Sequence, residues 1–406
     1  MPPPSVPPPP PFSPPPSSSP PPSFSPPPSF SPPPPPRFPL NPDPDRLHGC
    51  LLGGAIGDAL GAPVEGLTLD RIRARHGPDG VTGFVDERFG AGAITDDTQL
   101  TMFTANALVE NFLRARERGI GGATTGMLQE SYLRWLQGQG EVFPDQGMGG
   151  IWRFPQPEHA LMARRGPGRS TISALLKAAA RQRSGSPLGT VDEPINDSKG
   201  CGGVMRAAPC GFPSWGGGAE SAFRIGRDAA ALTHGHPSGH LPAGVLAATV
   251  WVLVRGGALP EALDVAREQL ETQDGHGETS AALDAAVDLA RRGGPPSPER
   301  LETLGAGWTG EEALAIAVYA ALVPVPSEGE AARRLLLAVN HSGDSDSTGA
   351  ICGNLVGAMH GTEALPARWR ADVEVAAGIE TLAGACADEF GPTPPVDATG
   401  YPTRRR

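Results

Sequence analysis

The chain has 406 residues, and 25 of its 48 prolines fall within the first 45 positions. The remaining length is enough for one large domain or two ordinary ones. The net charge is −11, so the overall field opposes nucleic acid and anionic membrane surfaces.

Residues 1–45 interleave proline with serine and phenylalanine, and Pro-Pro-Pro-Ser-Phe-Ser occurs at 20–25 and again at 26–31. Such a stretch buries too little apolar surface to order itself, so a disordered, polyproline-like tail is expected. The start lacks a basic run followed by an apolar one, which argues against a signal peptide. The five cysteines, at 50, 201, 210, 352 and 386, have no CxxC spacing. A reducing, cytoplasmic setting is therefore expected. The apolar run Cys50–Val64 is short and contains Asp58, so it is not read as a membrane span.

Helical periodicity dominates after residue 46. The first predicted helix covers 47–60 and carries Gly53 and Gly57, with Gly61 one turn on, a spacing that suits close helix packing. A second, strongly periodic helix spans 96–113, with Leu100, Phe103, Ala107, Leu108 and Phe112 near one face. Further helices are predicted over 123–137, 170–183, 219–232, 241–255, 259–271, 278–292, 309–322, 328–339, 346–360 and 370–387. Residues 81–85 form a short ribbon at most. The expected fold is all-α, a single domain over 46–390 with a flexible tail at 391–406.

Two acidic clusters each open one of these helices. The first is Thr95-Asp96-Asp97-Thr98 and the second is Ser342-Gly343-Asp344-Ser345-Asp346-Ser347-Thr348. Thr95 suits a helix N-cap, and acids in a first turn are favoured by the helix dipole, so either cluster alone has a structural explanation. Together they present hard oxygen donors without His or Cys, which suit Mg²⁺, Mn²⁺ or Ca²⁺ rather than zinc. If they meet, each like-charged pair at 4 Å costs about 4 kcal/mol at an effective dielectric near 20, and cations would relieve it. An EF-hand loop would need an acid where Leu355 stands, and the DDxxD motif of all-α terpenoid synthases would need one at Leu100. A DxD nucleotide-sugar transferase would need a Rossmann-like strand that the pattern does not offer.

Between the clusters, Ser198-Lys199-Gly200-Cys201-Gly202-Gly203-Val204-Met205-Arg206 forms a glycine-rich turn able to present N–H groups to phosphate. Thr233-His234-Gly235-His236 follows a predicted helix, where a helix-end histidine also has a purely structural reading.

In order, these stretches resemble the ADP-ribosylglycohydrolases, over roughly residues 46–390. The resemblance rests on the run Gly49–Gly61, Thr95–Thr98, Ser198–Arg206, Leu232-Thr233-His234 and Asn340–Ala350. It implies a compact all-α fold and a hydrolase cleaving the C1″ glycosidic bond of ADP-ribose. It further implies that Thr95, Asp96, Asp97, Asp344, Asp346 and Ser347 hold two Mg²⁺ or Mn²⁺ ions. Ser198, Gly200, Cys201 and Gly202 would line the diphosphate loop, with His234 beside it. Asp97, Asp346 and Glu65 are the implied acid–base candidates, and Glu65 matches an acid that is mobile in relatives. Asp58 is left open between a structural and a catalytic role. The implied substrate is an ADP-ribosylated protein, with arginine favoured as acceptor, or a small molecule. An ADP-ribosylated base stays open, no membrane partner is implied, and a monomer is expected. A non-catalytic ADP-ribose-binding or crystallin-like member is the alternative.

Overall fold

In a computed structural model, the residues described are 1, 37–119, 121–142, 159–181, 187–213 and 217–395. The tails expected at 1–45 and 391–406 lie largely outside them. Residues 38–43, by contrast, pack within the body. The Phe38 ring meets Trp251 edge-on at 5.8 Å, Leu40 O accepts from Arg255 Nε at 3.2 Å, and Asp43 caps the first helix.

Sixteen α-helices are seen among the described residues: α1 Pro44–Gly61, α2 Leu69–His76, α3 Asp96–Arg118, α4 Thr124–Gly138, α5 His159–Met162, α6 Arg169–Ala180, α7 Ala219–Ala231, α8 Pro237–Leu253, α9 Leu259–Leu270, α10 Gly277–Arg291, α11 Pro298–Leu301, α12 Gly310–Leu322, α13 Glu330–Val339, α14 Ser345–His360, α15 Ala367–Asp372 and α16 Ala376–Phe390. The fold is all-α, as expected; among the described residues an isolated bridge joins Gly200 to Thr309, and 81–85 form no ribbon. The helix expected at 370–387 is in fact two, α15 and α16. Between them Val375 has φ +60°, a conformation a β-branched residue adopts only at a cost. No helix among the described residues is long and apolar enough to cross a membrane.

The central contact is the antiparallel pair α1 and α14. Gly49, Gly53, Gly57 and Gly61 of α1 face Gly357, Gly353, Gly349 and Ser345 of α14. A Cβ added at Gly49 would stand 2.5 Å from Gly357 O, and one at Gly53, Gly57, Gly353 or Gly357 would come closer still. The two backbones thus approach to a distance that no side chain permits. This register sets the C-terminal end of α1, with Asp58, beside the N-terminal end of α14, with Asp346.

Helix α3 crosses this pair and is buried on every face from Asp96 to Leu113, not along one stripe only. One of its inward polar side chains is satisfied from neighbouring elements. Gln99 donates to Ala160 O and Ala163 O at 2.6 and 2.9 Å and accepts from Trp135 Nε1 at 2.8 Å. Helices α7, α8 and α9 pack in sequence on the far side, and α12 links α8 to α14.

Candidate active site

The N-terminus of α3 is held by a single carboxylate. Asp58, fully buried on α1, accepts from Thr95 N at 2.9 Å, Thr95 Oγ1 at 2.8 Å, Thr98 N at 3.1 Å and Thr98 Oγ1 at 2.5 Å. The first-turn N–H groups of a helix lack intrahelical acceptors, and Asp58 satisfies two of them from outside. Burial nevertheless outweighs these bonds and pushes its carboxyl up to about 6. Asp58 therefore acts as a strut for α3. Thr95 caps the helix, as its sequence position suggests, by accepting from Asp97 N at 3.3 Å.

The N-terminus of α14 is held differently. Asp344 is its N-cap and accepts from Ser347 N at 3.3 Å, while its own N–H donates to Ala306 O at 2.8 Å. Its Oδ2 lies 2.7 Å from the Cys201 thiol.

The two acidic starts converge. Asp96, Asp97, Asp344 and Asp346 are at most 4% exposed. Burial raises all four carboxyls, and neighbouring acids add to it: Asp58, Asp96 and Asp344 act on Asp97, while Glu65, Asp344 and Asp97 act on Asp346. Asp344 and Ser347 of the second cluster both act on the Asp97 carboxyl, so the two helix starts stand side by side.

Whether this donor set fits divalent cations can be judged from the residues themselves. Asp97 Oδ1 is buried without a hydrogen-bond partner, which is costly unless another group completes it. The surrounding donors, Thr95, Asp96, Asp344, Asp346 and Ser347, are all hard oxygens. Among the described residues, no three His, Cys, Asp or Glu side chains already stand in ligating geometry. Several lone pairs are instead taken by the protein: Asp344 Oδ2 by Cys201, Asp346 Oδ1 by Ser347 N at 3.1 Å, and Glu65 by Arg88. The donors fit a hard cation, and ligation would require these partners to yield.

Arg88 was not legible as a site residue. It has φ +58°, pairs with Glu65, donates to Ala62 O at 3.0 Å and stacks 4.9 Å from the Phe89 ring centroid. Asp346 and Asp96 lie close enough to act on it electrostatically. Its place in an aperiodic loop gave no signal beyond a lone cation shortly before Thr95.

The glycine-rich turn borders the acids through Cys201, whose Sγ is also 3.7 Å from Ser347 Oγ. Several of its N–H groups are already engaged, among them Ser198 with Asn196 Oδ1 at 3.1 Å, Gly200 with Ser198 Oγ at 3.3 Å and Cys201 with Trp308 O at 3.2 Å, while Val204 and Met205 donate to Cys201 O. Ser198 Oγ meets Ser170 Oγ at 2.8 Å, which brings the start of α6 to the turn. His234, 2% exposed, packs against the turn: a Cβ on Gly202 would lie 3.2 Å from its Nε2, and one on Gly200 3.3 Å. Burial, with help from Arg206 and His240, lowers its pKa to about 3. The structure thus gathers every sequence-derived candidate around one place and adds Arg88, Ser170 and Thr171. Ser170 and Thr171 open a predicted helix and were recognisable as a helix start, but nothing marked which loop they would face.

Comparison with known proteins places the chain among described relatives. The family model described as ADP-ribosylglycohydrolase matches residues 40–395. The chain is 23% identical over 334 residues to the ADP-ribosyl-[dinitrogen reductase] glycohydrolase of Rhodospirillum rubrum, covering 82% of this chain and 91% of that protein. It is 24% identical over 379 residues to the ADP-ribosylhydrolase ARH3 of Gallus gallus, covering 82% and 90%. A solved structure titled ADP-ribosylglycohydrolase-related protein complex aligns with a TM-score of 0.59 at 26% identity, over 86% of this chain and 99% of that one.

Proposed function

The chain belongs to the ADP-ribosylglycohydrolase family, and on that premise we propose that it hydrolyses the bond between C1″ of ADP-ribose and an acceptor, with an arginine side chain favoured. The observation that carries this reading is the junction of an acid cluster with the glycine-rich turn, made by the 2.7 Å contact between Cys201 and Asp344. One side suits the ribose and the reacting carbon, the other the diphosphate.

Thr95, Asp96, Asp97, Asp344, Asp346 and Ser347 would hold two Mg²⁺ or Mn²⁺ ions. When bound, such ions supply Lewis-acid polarisation and neutralise the clustered charge. Asp97 and Asp346 orient a water toward C1″, and a carboxylate takes its proton as the new C–O bond forms. The C1″–acceptor bond breaks through an oxocarbenium-like state, and its electron pair leaves with the acceptor, which gains a proton. Glu65 would deliver or receive that proton once it leaves Arg88. Gly202 N–H, Ser198 and His234 bind the diphosphate without a basic patch, in keeping with the acidic chain.

The test is a panel of ADP-ribosylated arginine, serine and guanosine with O-acetyl-ADP-ribose, each assayed with Mg²⁺, with Mn²⁺ and with EDTA. Release of free ADP-ribose from at least one substrate, lost in EDTA and restored by either ion, is expected. Undiminished turnover in EDTA would overturn the metal-dependent chemistry. Tight ADP-ribose binding without turnover on any substrate would favour a non-catalytic member instead.

A further inference from the structure

Arg206 is an unusual residue to find in this core. It is fully buried, its Nε and Nη1 have no hydrogen-bond partner, and no ion pair is seen for it among the described residues. Its guanidinium lies 4.3 Å from the Tyr132 ring centroid, which offsets part of the desolvation cost. A buried cation without a counter-ion is expensive, so packing alone gives no reason for it. Its best hydrogen bond runs from Nη2 to Thr233 Oγ1 at 2.6 Å, with a longer one to Ala229 O at 3.3 Å. Thr233 Oγ1 in turn lies 2.8 Å from His234 Nδ1.

We propose that Arg206 and Thr233 are positioning residues that fix His234 as a neutral imidazole with its proton on Nε2, aimed at the glycine-rich turn as a donor to a diphosphate oxygen. The ligand half of this statement rests on the function proposed above; the tautomer half does not.

The direction of the chain follows from elementary electrostatics. Thr233 has one hydroxyl proton and two candidate acceptors, His234 Nδ1 at 2.8 Å and Ala230 O at 3.4 Å. The shorter contact is the stronger bond. A guanidinium donating to Oγ1 draws electron density from the hydroxyl and makes it a better donor. The same positive charge favours a lone pair, not an N–H, on the imidazole nitrogen nearer to it. All three effects put the lone pair on Nδ1 and leave the proton on Nε2. That Nε2 stands where a Cβ on Gly202 would be 3.2 Å away, and the same Cβ would be 3.2 Å from Thr171 Oγ1, a buried hydroxyl without a partner. Two polar atoms thus face one point of the turn. Burial and the Arg206 charge hold the imidazole neutral, with a pKa near 3, so the donor is present over the whole neutral range.

The experiment uses the full chain labelled with ¹⁵N at histidine, with His234 assigned from the spectrum of His234→Asn. Long-range ¹H–¹⁵N spectra of the free protein should show His234 as the Nε2–H tautomer. Thr233→Val should shift it toward Nδ1–H and weaken ADP-ribose binding roughly tenfold, the loss expected for one hydrogen bond to a charged group. Thr233→Ser should restore both. Arg206→Met should act in the same direction as Thr233→Val, and if it fails to fold the threonine pair still decides the matter. An unchanged Nε2–H tautomer in Thr233→Val overturns the relay. A changed tautomer with wild-type ADP-ribose affinity overturns the donor role. Absence of ADP-ribose binding by the wild type would sink the functional reading and the donor role with it, while the tautomer comparison would still test the relay.

Discussion

On the α3 and α14 side of the site, burial pushes the carboxyls of Asp58, Asp96, Asp97, Asp344 and Asp346 upward, with neighbouring acids adding to it at the last four; on the side of α7 and the glycine-rich turn, burial and Arg206 push the His234 imidazole downward. The first side is a set of acids held closer than their charges favour, with Asp97 Oδ1 left unpartnered. The second is a glycine-rich turn backed by an imidazole that burial keeps neutral. A site built this way suits a molecule with one end that is reached through cations and another that is anionic. The acids and the imidazole should therefore respond in opposite ways when altered.

The largest effect is expected on the acid side. Asp97→Ala or Asp346→Ala should lower turnover at least ~10²-fold, because each removes a group that orients the attacking water. The metal-free protein should melt no lower than the wild type, since one member of a repelling cluster is gone. A marked drop in melting temperature with EDTA present would show that these acids hold the fold, and the contrast between the two sides would collapse. Asp58 supplies the control. Its four bonds to Thr95 and Thr98 make Asp58→Asn destabilising even without metal.

The contrast was only partly legible in the sequence. The four-residue glycine spacing and the Thr95 cap sit in local patterns, so α1, α3 and the acid-bearing helix starts could be read directly. The convergence of the acids depends on the α1–α14 register, which is set by glycines on both helices; only those of α1 were read as a packing surface. Arg88 and Val375 were hidden because positive φ in a non-glycine residue has no sequence signature. Arg206 lay within the motif Gly202-Gly203-Val204-Met205-Arg206, yet its partner Thr233 is 27 positions away and only the fold joins them.

Glu65 marks the point where the acid side can change. Its pairing with Arg88, and the short loop after α1 that carries it, leave it outside any ligating geometry. Glu65→Gln should lower turnover by ~10²-fold in single-turnover assays, with ADP-ribose affinity little altered. Arg88→Gln should free Glu65 and raise the affinity for Mn²⁺, measured by calorimetry, because a competing cation is removed from beside Asp346 and Asp96. Wild-type single-turnover rates in Glu65→Gln would leave the aspartates as the sole acid–base candidates.

The smallest effect is a slope of stability against pH, and its sign separates the two sides. His234 and His240 have folded pKa values of about 3 and about 4, against 6.5 for a free imidazole. Between those values the unfolded chain binds protons that the native state does not, so these histidines lower stability as pH falls below 6.5 and contribute their full share above it. The acids act oppositely. Asp58 rises from 3.8 to about 6, so within that window the native state binds the extra proton and stability falls as pH rises. Each proton contributes at most about 1.4 kcal/mol per pH unit. In EDTA the raised carboxyls of Asp58, Asp96, Asp97, Asp344 and Asp346 should oppose the histidines and blunt the loss of stability between pH 6 and 4 in urea titrations. Saturating Mn²⁺ should hold the acids ionised in the folded state, remove their offsetting term and expose a clear loss of stability on acidification. His240→Asn should then reduce the Mn²⁺ slope, leaving the share of His234 in place. Identical slopes with and without Mn²⁺ would mean that the carboxylates do not meet a cation, and that the acid side is not the complement of the neutral one.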